Sequence, residues 1–177
     1  NMVAGNVTLV ASTTRNTNTN FNIVYMFETQ TAGQYVEDSA LSRTWAANST
    51  GTTEDAITLD HIKLANMGEV PSTSGYEFAN FGVLSNGNFD TVYILGNGTS
   101  TVYVYYTRLS YTFTVNYYYN ETTNSIRNSI TETYKYEAEY SYVSPVVIGY
   151  TYSAPKVSGT MPAEDLTVNV YYTANVY

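Results

Sequence analysis

The chain contains no cysteine, one histidine (His61), one tryptophan, four prolines and only seven lysines and arginines in 177 residues. Each scarcity closes a class of function. Without cysteine there is no disulfide framework, so stability must come from sheet pairing, repetition, a metal or another covalent link. One histidine removes any multi-histidine metal centre and leaves a Ser-His-Asp triad a single candidate base. Seven cations against fifteen acids give a formal charge of -8. No basic patch is left to displace phosphate counterions, which argues against nucleic acid as a partner. The same charge disfavours electrostatic capture of sialylated or sulphated glycans. No run of about 20 apolar residues is present to embed the chain in a bilayer. The opening Asn1-Met2 shows no signal-peptide pattern, so the expectation is a mature or excised piece of a longer protein.

What is abundant is tyrosine: 20 Tyr against 6 Phe. Tyrosine suits half-buried strand positions, where the ring packs and the hydroxyl reaches water or a partner. The tyrosines also mark an internal repeat. Val102-Tyr103-Val104-Tyr105-Tyr106-Thr107 returns as Val168-Asn169-Val170-Tyr171-Tyr172-Thr173. Gly75-Tyr76 returns as Gly149-Tyr150, and the alternating strand Phe21-Ile23-Tyr25-Phe27 returns as Phe113-Val115-Tyr117-Tyr119. Three landmarks in the same order, twice, predict two tandem β-rich units. Residues 1–20 read as an N-terminal strand (Asn6–Thr14) and polar hinge, either the tail of a preceding repeat or a donor strand. Unit one covers 21–108 with an insert at about 46–68, and unit two covers 109–177.

Within unit one, period-two alternation predicts a strand from Phe21 to Phe27, a turn at Ala32-Gly33 and a second strand from Tyr35 to Trp45. Thr52-Thr53-Glu54-Asp55 ahead of spaced apolar residues predicts a short helix over 53–66. Asn86-Gly87 and Asn97-Gly98 predict hairpins joining strands near 78–85, 89–95 and 101–107 into a meander. In unit two, a strand from Thr131 to Val143 is expected to place Tyr134, Tyr136, Ala138, Tyr140 and Tyr142 on one face. Lys135, Glu137, Glu139 and Ser141 would take the other, solvated face. The closing strand should turn Leu166, Val168, Val170 and Tyr172 inward.

Few residues invite catalysis. Asp60 neighbours His61 on the predicted helix, where adjacent side chains diverge; a helix-surface histidine is the simpler reading. The carboxylate pairs Glu37-Asp38, Glu54-Asp55, Glu164-Asp165 and Glu137/Glu139 read as solvated charge. Asn86-Gly87-Asn88-Phe89-Asp90 spaces oxygens like a calcium loop, but a single acid and no late glutamate make it a hairpin turn. Lys63, Lys135 and Lys156 do not fall on a first strand, where an intramolecular isopeptide link would need one. No cofactor or metal motif is found, and an enzyme is not expected. The outward Tyr103, Tyr105 and Tyr171 are the candidate ligand-binding residues, because aromatic platforms stack on sugar rings or partner proteins.

The opening strand Tyr111-Thr112-Phe113-Thr114-Val115-Asn116-Tyr117, the central Gly149-Tyr150 and the closing Leu166-Thr167-Val168-Asn169-Val170-Tyr171-Tyr172 resemble the mucin-binding-type (MucBP-like) repeat and its relative, the internalin-type B repeat. Asn22-Ile23-Val24-Tyr25, Gly75-Tyr76 and Thr101–Arg108 carry the likeness in unit one. The resemblance implies β-grasp-like modules, mainly β with a short helix, in a bacterial surface protein. Its implied setting is extracellular, at the cell wall or in a surface fibre. The expected function is an adhesin or stalk segment whose partners are host glycoprotein or glycan, neighbouring repeats or copies of itself. The alternatives are a pilus or fibre subunit polymerising by N-terminal strand exchange and a glycan-acting enzyme accessory domain.

Overall fold

The computed structural model describes residues 13–42, 49–120 and 122–177. The strand expected at Asn6–Thr14 lies, but for its last two residues, outside that range, as does the end of the strand expected at Tyr35–Trp45. The described residues are mainly β with one short helix, in sheets that do not close.

After β1 (Thr19–Asn20) at the end of the polar hinge, unit one comprises β2 (Asn22–Glu28), β3 (Tyr35–Glu37), β4 (Thr50–Gly51), α1 (Leu59–Ala65), β5 (Tyr76–Ser85), β6 (Asn88–Asp90) and β7 (Thr101–Arg108). A five-stranded sheet runs β3-β2-β7-β5-β6, and β1 pairs with β4 apart from it. Alternation in β2 turns Phe21, Ile23, Tyr25 and Phe27 to a common side, where Val102, Val104 and Tyr106 of β7 join them. Ile57, Ile62 and Ile94 complete that core, so the insert supplies core side chains. Each such side chain, removed from water, contributes roughly 1.5–3 kcal/mol. The buried phenols keep partners: Tyr106 donates to the Pro71 carbonyl, and Asn66 Nδ2 donates to Tyr25.

Three sequence expectations are corrected here. The second strand ends at Glu37, because the Asp38 carboxylate accepts the N–H groups of Ala40 (2.9 Å) and Leu41 (3.3 Å) and turns the chain. The helix begins at Leu59 rather than 53. Residues upstream are held by backbone bonds instead, Glu54 N–H to Ile94, Ile57 N–H to Val92 and Ile94 N–H to Asp55, and Glu54 has φ +70°. The meander is reordered: Asn86-Gly87 forms the expected tight turn with φ +50° and +80°, but β6 stops at Asp90 and β5 itself pairs with β7. Only Gly98 of Asn97-Gly98 has positive φ, and the Asn97 side chain accepts from Thr99 to close a loop.

Unit two comprises β8 (Ser110–Tyr119), β9 (Ser125–Lys135), β10 (Glu139–Val143), β11 (Tyr150–Tyr152), β12 (Lys156–Thr160) and β13 (Leu166–Ala174). Its main sheet runs β11-β13-β8-β9, with β10 and β12 paired separately. The single strand expected over 131–143 is broken at 136–138, where Glu137 takes φ +61°. Met161 clamps the bend, accepting from Glu137 N–H (2.8 Å) and donating to the Ala138 carbonyl (2.9 Å). Tyr134, Tyr140 and Tyr142 do gather on Phe113 as the alternation implied, with Tyr140 stacked on its ring at 4.3 Å. Tyr136 is diverted from that core.

The duplication holds in register. Ile23 pairs with Val102 as Val115 pairs with Val168, both in parallel. Tyr76, Glu77 and Phe78 face Arg108, Thr107 and Tyr106, just as Tyr150, Thr151 and Tyr152 face Ala174, Thr173 and Tyr172. Phe21 therefore corresponds to Phe113, Gly75 to Gly149, Tyr105 to Tyr171 and Glu28 to Asn120. A parallel pair demands a crossover, and unit one makes it with the longer segment carrying α1 and the β5–β6 hairpin.

The units are fastened where β7 runs into β8. Leu109 N–H donates to Gly75, and Tyr136 N–H donates to Leu109. The Tyr136 ring covers Gly75 and meets Tyr76 edge-on at 5.5 Å. Glu28, only 4% exposed, accepts from Lys135 Nζ at 2.8 and 3.0 Å and from the Arg108 N–H at 3.1 Å. The Arg108 guanidinium is buried against the Tyr136 carbonyl (2.8 Å) and both oxygens of Gln30. Lys135 is thus no part of a solvated charge stripe; its partner is an acid 107 positions away in the other unit.

Candidate functional site

On a half-buried sheet, alternation sends residues between the core positions to the opposite face, and those residues meet solvent unless something covers them. In unit two that face carries Asn116 and Tyr118 of β8 beside Asn169 and Tyr171 of β13, each level with its partner in the parallel register. The Tyr118 and Tyr171 rings lie 6.2 Å apart, tilted by 33°, and both are half-buried. Next to them runs a polar ladder. Ser129 donates to Asn116 Oδ1 (2.6 Å), Asn116 Nδ2 donates to Asn169 Oδ1 (3.0 Å), and Asn169 Nδ2 donates to the Tyr171 hydroxyl (3.4 Å). The Ser153 hydroxyl accepts from the Tyr171 N–H (3.0 Å) and pins the strand beside the rings. Two adjacent aromatic faces flanked by oriented amides and hydroxyls can stack on apolar ring faces while exchanging neutral hydrogen bonds.

Unit one builds the same positions to another end. Tyr105, expected to face outward with Tyr103 and Tyr171, is 6% exposed. Its ring is enclosed by Tyr35 at 5.0 Å and Phe89 at 5.1 Å, and its hydroxyl accepts the Leu84 N–H at 3.3 Å. Burial, with the neighbouring Tyr103 and Tyr35, pushes its phenol above the ordinary value against the opposing pull of that N–H bond. The cover is the β5–β6 hairpin: β5 has ten residues and carries Phe89 back over the sheet, whereas β11 has three and leaves Tyr171 open. Tyr103 stands half-buried at the border, 6.4 Å from Tyr105. Tyr118 escaped the sequence reading, although its place next to Tyr117 on the opposite face signalled it.

No protein-family model and no curated protein matches the chain. Among solved structures, it is similar to the type 2 repeat of the mucus binding protein MUB from Lactobacillus reuteri at 17% identity and TM-score 0.33, over 87% of this chain and 99% of that one. It is also similar to the mucin-binding domain of Spr1345 from Streptococcus pneumoniae at 13% identity and TM-score 0.32, over 39% and 93%. A third is a MucBP domain of LBA1460 from Lactobacillus acidophilus, at 17% identity and TM-score 0.26, over 38% and 92%. All three likenesses have TM-scores below 0.5.

The other chemistry candidates resolve into structural roles. His61 Nδ1 accepts the Thr58 N–H (3.1 Å) and contacts the Thr58 hydroxyl (2.9 Å), while its ring lies edge-on to Phe21. It closes the start of α1 in the way a glutamate usually would. Changing His61 to Ala should cost about 1 kcal/mol, read as a lowered midpoint in thermal unfolding. Glu137 and Glu139 sit in a turn and the strand after it, not on one flat strand face. Among the described residues no group of three or more His, Asp or Glu could hold a metal ion. No described helix is long and apolar enough to cross a membrane.

Proposed function

We propose that the chain is a non-enzymatic segment of an extracellular bacterial surface protein, combining an adhesive face with a stalk. The observation that carries this reading is the Tyr118–Tyr171 pair with its Asn116–Asn169–Ser129 ladder, open on unit two while the matching Tyr105 is sealed on unit one. Its chemistry suits an uncharged saccharide: ring stacking supplies contact area, amides supply direction, and the acidic chain repels anionic sugars. Unit one, with its face covered and its end fastened to unit two, serves as the spacer. Tyr171 keeps the ligand-binding role expected of it, Tyr118 replaces Tyr105 as its companion, and Tyr103 stays at the edge of the covered patch.

Titrating the full chain with desialylated mucin O-glycans tests this directly. Tyr118→Ser and Tyr171→Ser should each weaken binding about three- to tenfold, the equivalent of a stacking contact worth roughly 0.7–1.4 kcal/mol. Because no ion pair is involved, affinity should change less than about twofold between low and physiological salt. Unchanged binding in both variants would assign the rings to packing. No binding of any neutral glycan would leave the stalk role or a strand-exchange fibre, to be separated by whether residues 6–14 pair in their own chain or in another copy.

A further inference from the structure

Comparing the two equivalent ends singles out a surface on unit two. At the end of unit one, Leu109 N–H bonds to the Gly75 carbonyl at 2.8 Å; at the end of unit two, Asn175 N–H bonds to the Gly149 carbonyl at 2.8 Å. Phe27 meets Tyr76 edge-on at 4.9 Å, and Tyr119 meets Tyr150 edge-on at 5.4 Å. Both glycines hold left-handed backbone, φ +82° and +83°. The difference is what lies above them. A Cβ on Gly75 would stand 2.3 Å from the Tyr136 ring, which fills the space, whereas no described residue lies within 4 Å of one on Gly149. Ile148 beside it is 96% exposed.

We infer that the Gly149–Tyr150–Tyr119 end of unit two is a docking socket for a further β-module of the same kind. That module would present an aromatic side chain from a turn, as unit two presents Tyr136 to Gly75. The partner's chemistry follows from what the socket keeps and drops. It keeps the glycine floor, the edge-on tyrosine and the backbone bond that sets the exit direction. It drops both charges, because Asn120 stands where unit one has Glu28 and Ala174 where unit one has Arg108. The preferred turn is therefore aromatic and uncharged, and the joint is weaker than the one inside this chain. The socket is separate from the Tyr118–Tyr171 face and does not depend on its ligand.

The test extends the full chain by fusing a copy of residues 109–177 directly after Ala174, with no glycan present. In this extended protein the Gly149 Hα resonance should move upfield to match that of Gly75, the ring-current mark of a tyrosine above it. The three units should also fit a single rotational diffusion tensor in 15N relaxation. Tyr136→Ala in the appended copy should abolish the Gly149 shift while leaving that of Gly75 unchanged. Adding Asn120→Glu and Ala174→Arg should restore the charged clamp and slow amide exchange at the new joint at least severalfold. An unshifted Gly149 with an independently tumbling copy would overturn the inference. So would an appended copy that fails to fold, since unit two folds when seated on the matching end of unit one.

Discussion

Alanine at Gly75 is expected to destabilise the chain by about 2–5 kcal/mol. Placing an L-residue in left-handed backbone costs about 1–2 kcal/mol, and forcing a methyl into filled space adds about 1–3. The methyl would meet the Tyr136 ring at 2.3 Å, so the ring must leave the joint and surrender its edge contact with Tyr76. Alanine at Gly149 carries the backbone cost alone, about 1–2 kcal/mol, because no described residue comes within 4 Å of its Cβ. The pair is its own control: same residue, same φ, same register position. Urea unfolding of the two variants measures the difference. Equal losses would mean that Tyr136 is not what closes the joint.

Replacing Lys135 by Ala is expected to cost about 1–3 kcal/mol, although the same change on a surface ion pair costs less than about 1. The acid it abandons is 4% exposed, and a buried carboxylate without its counter-ion is costly. The loss stays below the usual range for a broken buried pair because Lys135 is itself 39% exposed and the N–H groups of Arg108 and Gly33 still hold Glu28. Burial on its own raises the Glu28 carboxyl. The hydrogen bond from Lys135, the two N–H bonds and the Lys135 charge outweigh it and hold the group below its ordinary value of 4.5. A group depressed in the folded state contributes stability that is complete above its unfolded value and is lost as pH falls through the folded one. Acidification from pH 7 through that window should thus remove more stability from the native chain than from Glu28→Gln, which has no proton to take up. Parallel unfolding curves for the two proteins at every pH would disprove a linked carboxylate.

Much of this was legible in the residues. Alternation at Phe21-Ile23-Tyr25-Phe27 and Phe113-Val115-Tyr117-Tyr119 marks a buried face, because a strand's side chains change sides at each step whatever the rest of the chain does. The repeated landmarks predicted which positions correspond, and the paired registers agree with them. Tyr171 could be placed on the open face by the same counting, and Tyr118 with it.

Other features needed the tertiary structure. Tyr105 and Tyr171 sit in the same phrase, yet one is sealed by Tyr35 and Phe89 and the other is open. That outcome depends on how far β5 and β11 run before the chain departs, which no local pattern states. The helix start moved because backbone bonds to residues 92–94 claimed the segment that the Thr52–Asp55 capping pattern would have recruited. Lys135 looked like one charge of a solvated stripe, since its acid lies 107 residues earlier. Period and propensity act over a few residues and determine which way a side chain faces. What then covers it is decided by contacts between distant segments, whose closure depends on the fold as a whole.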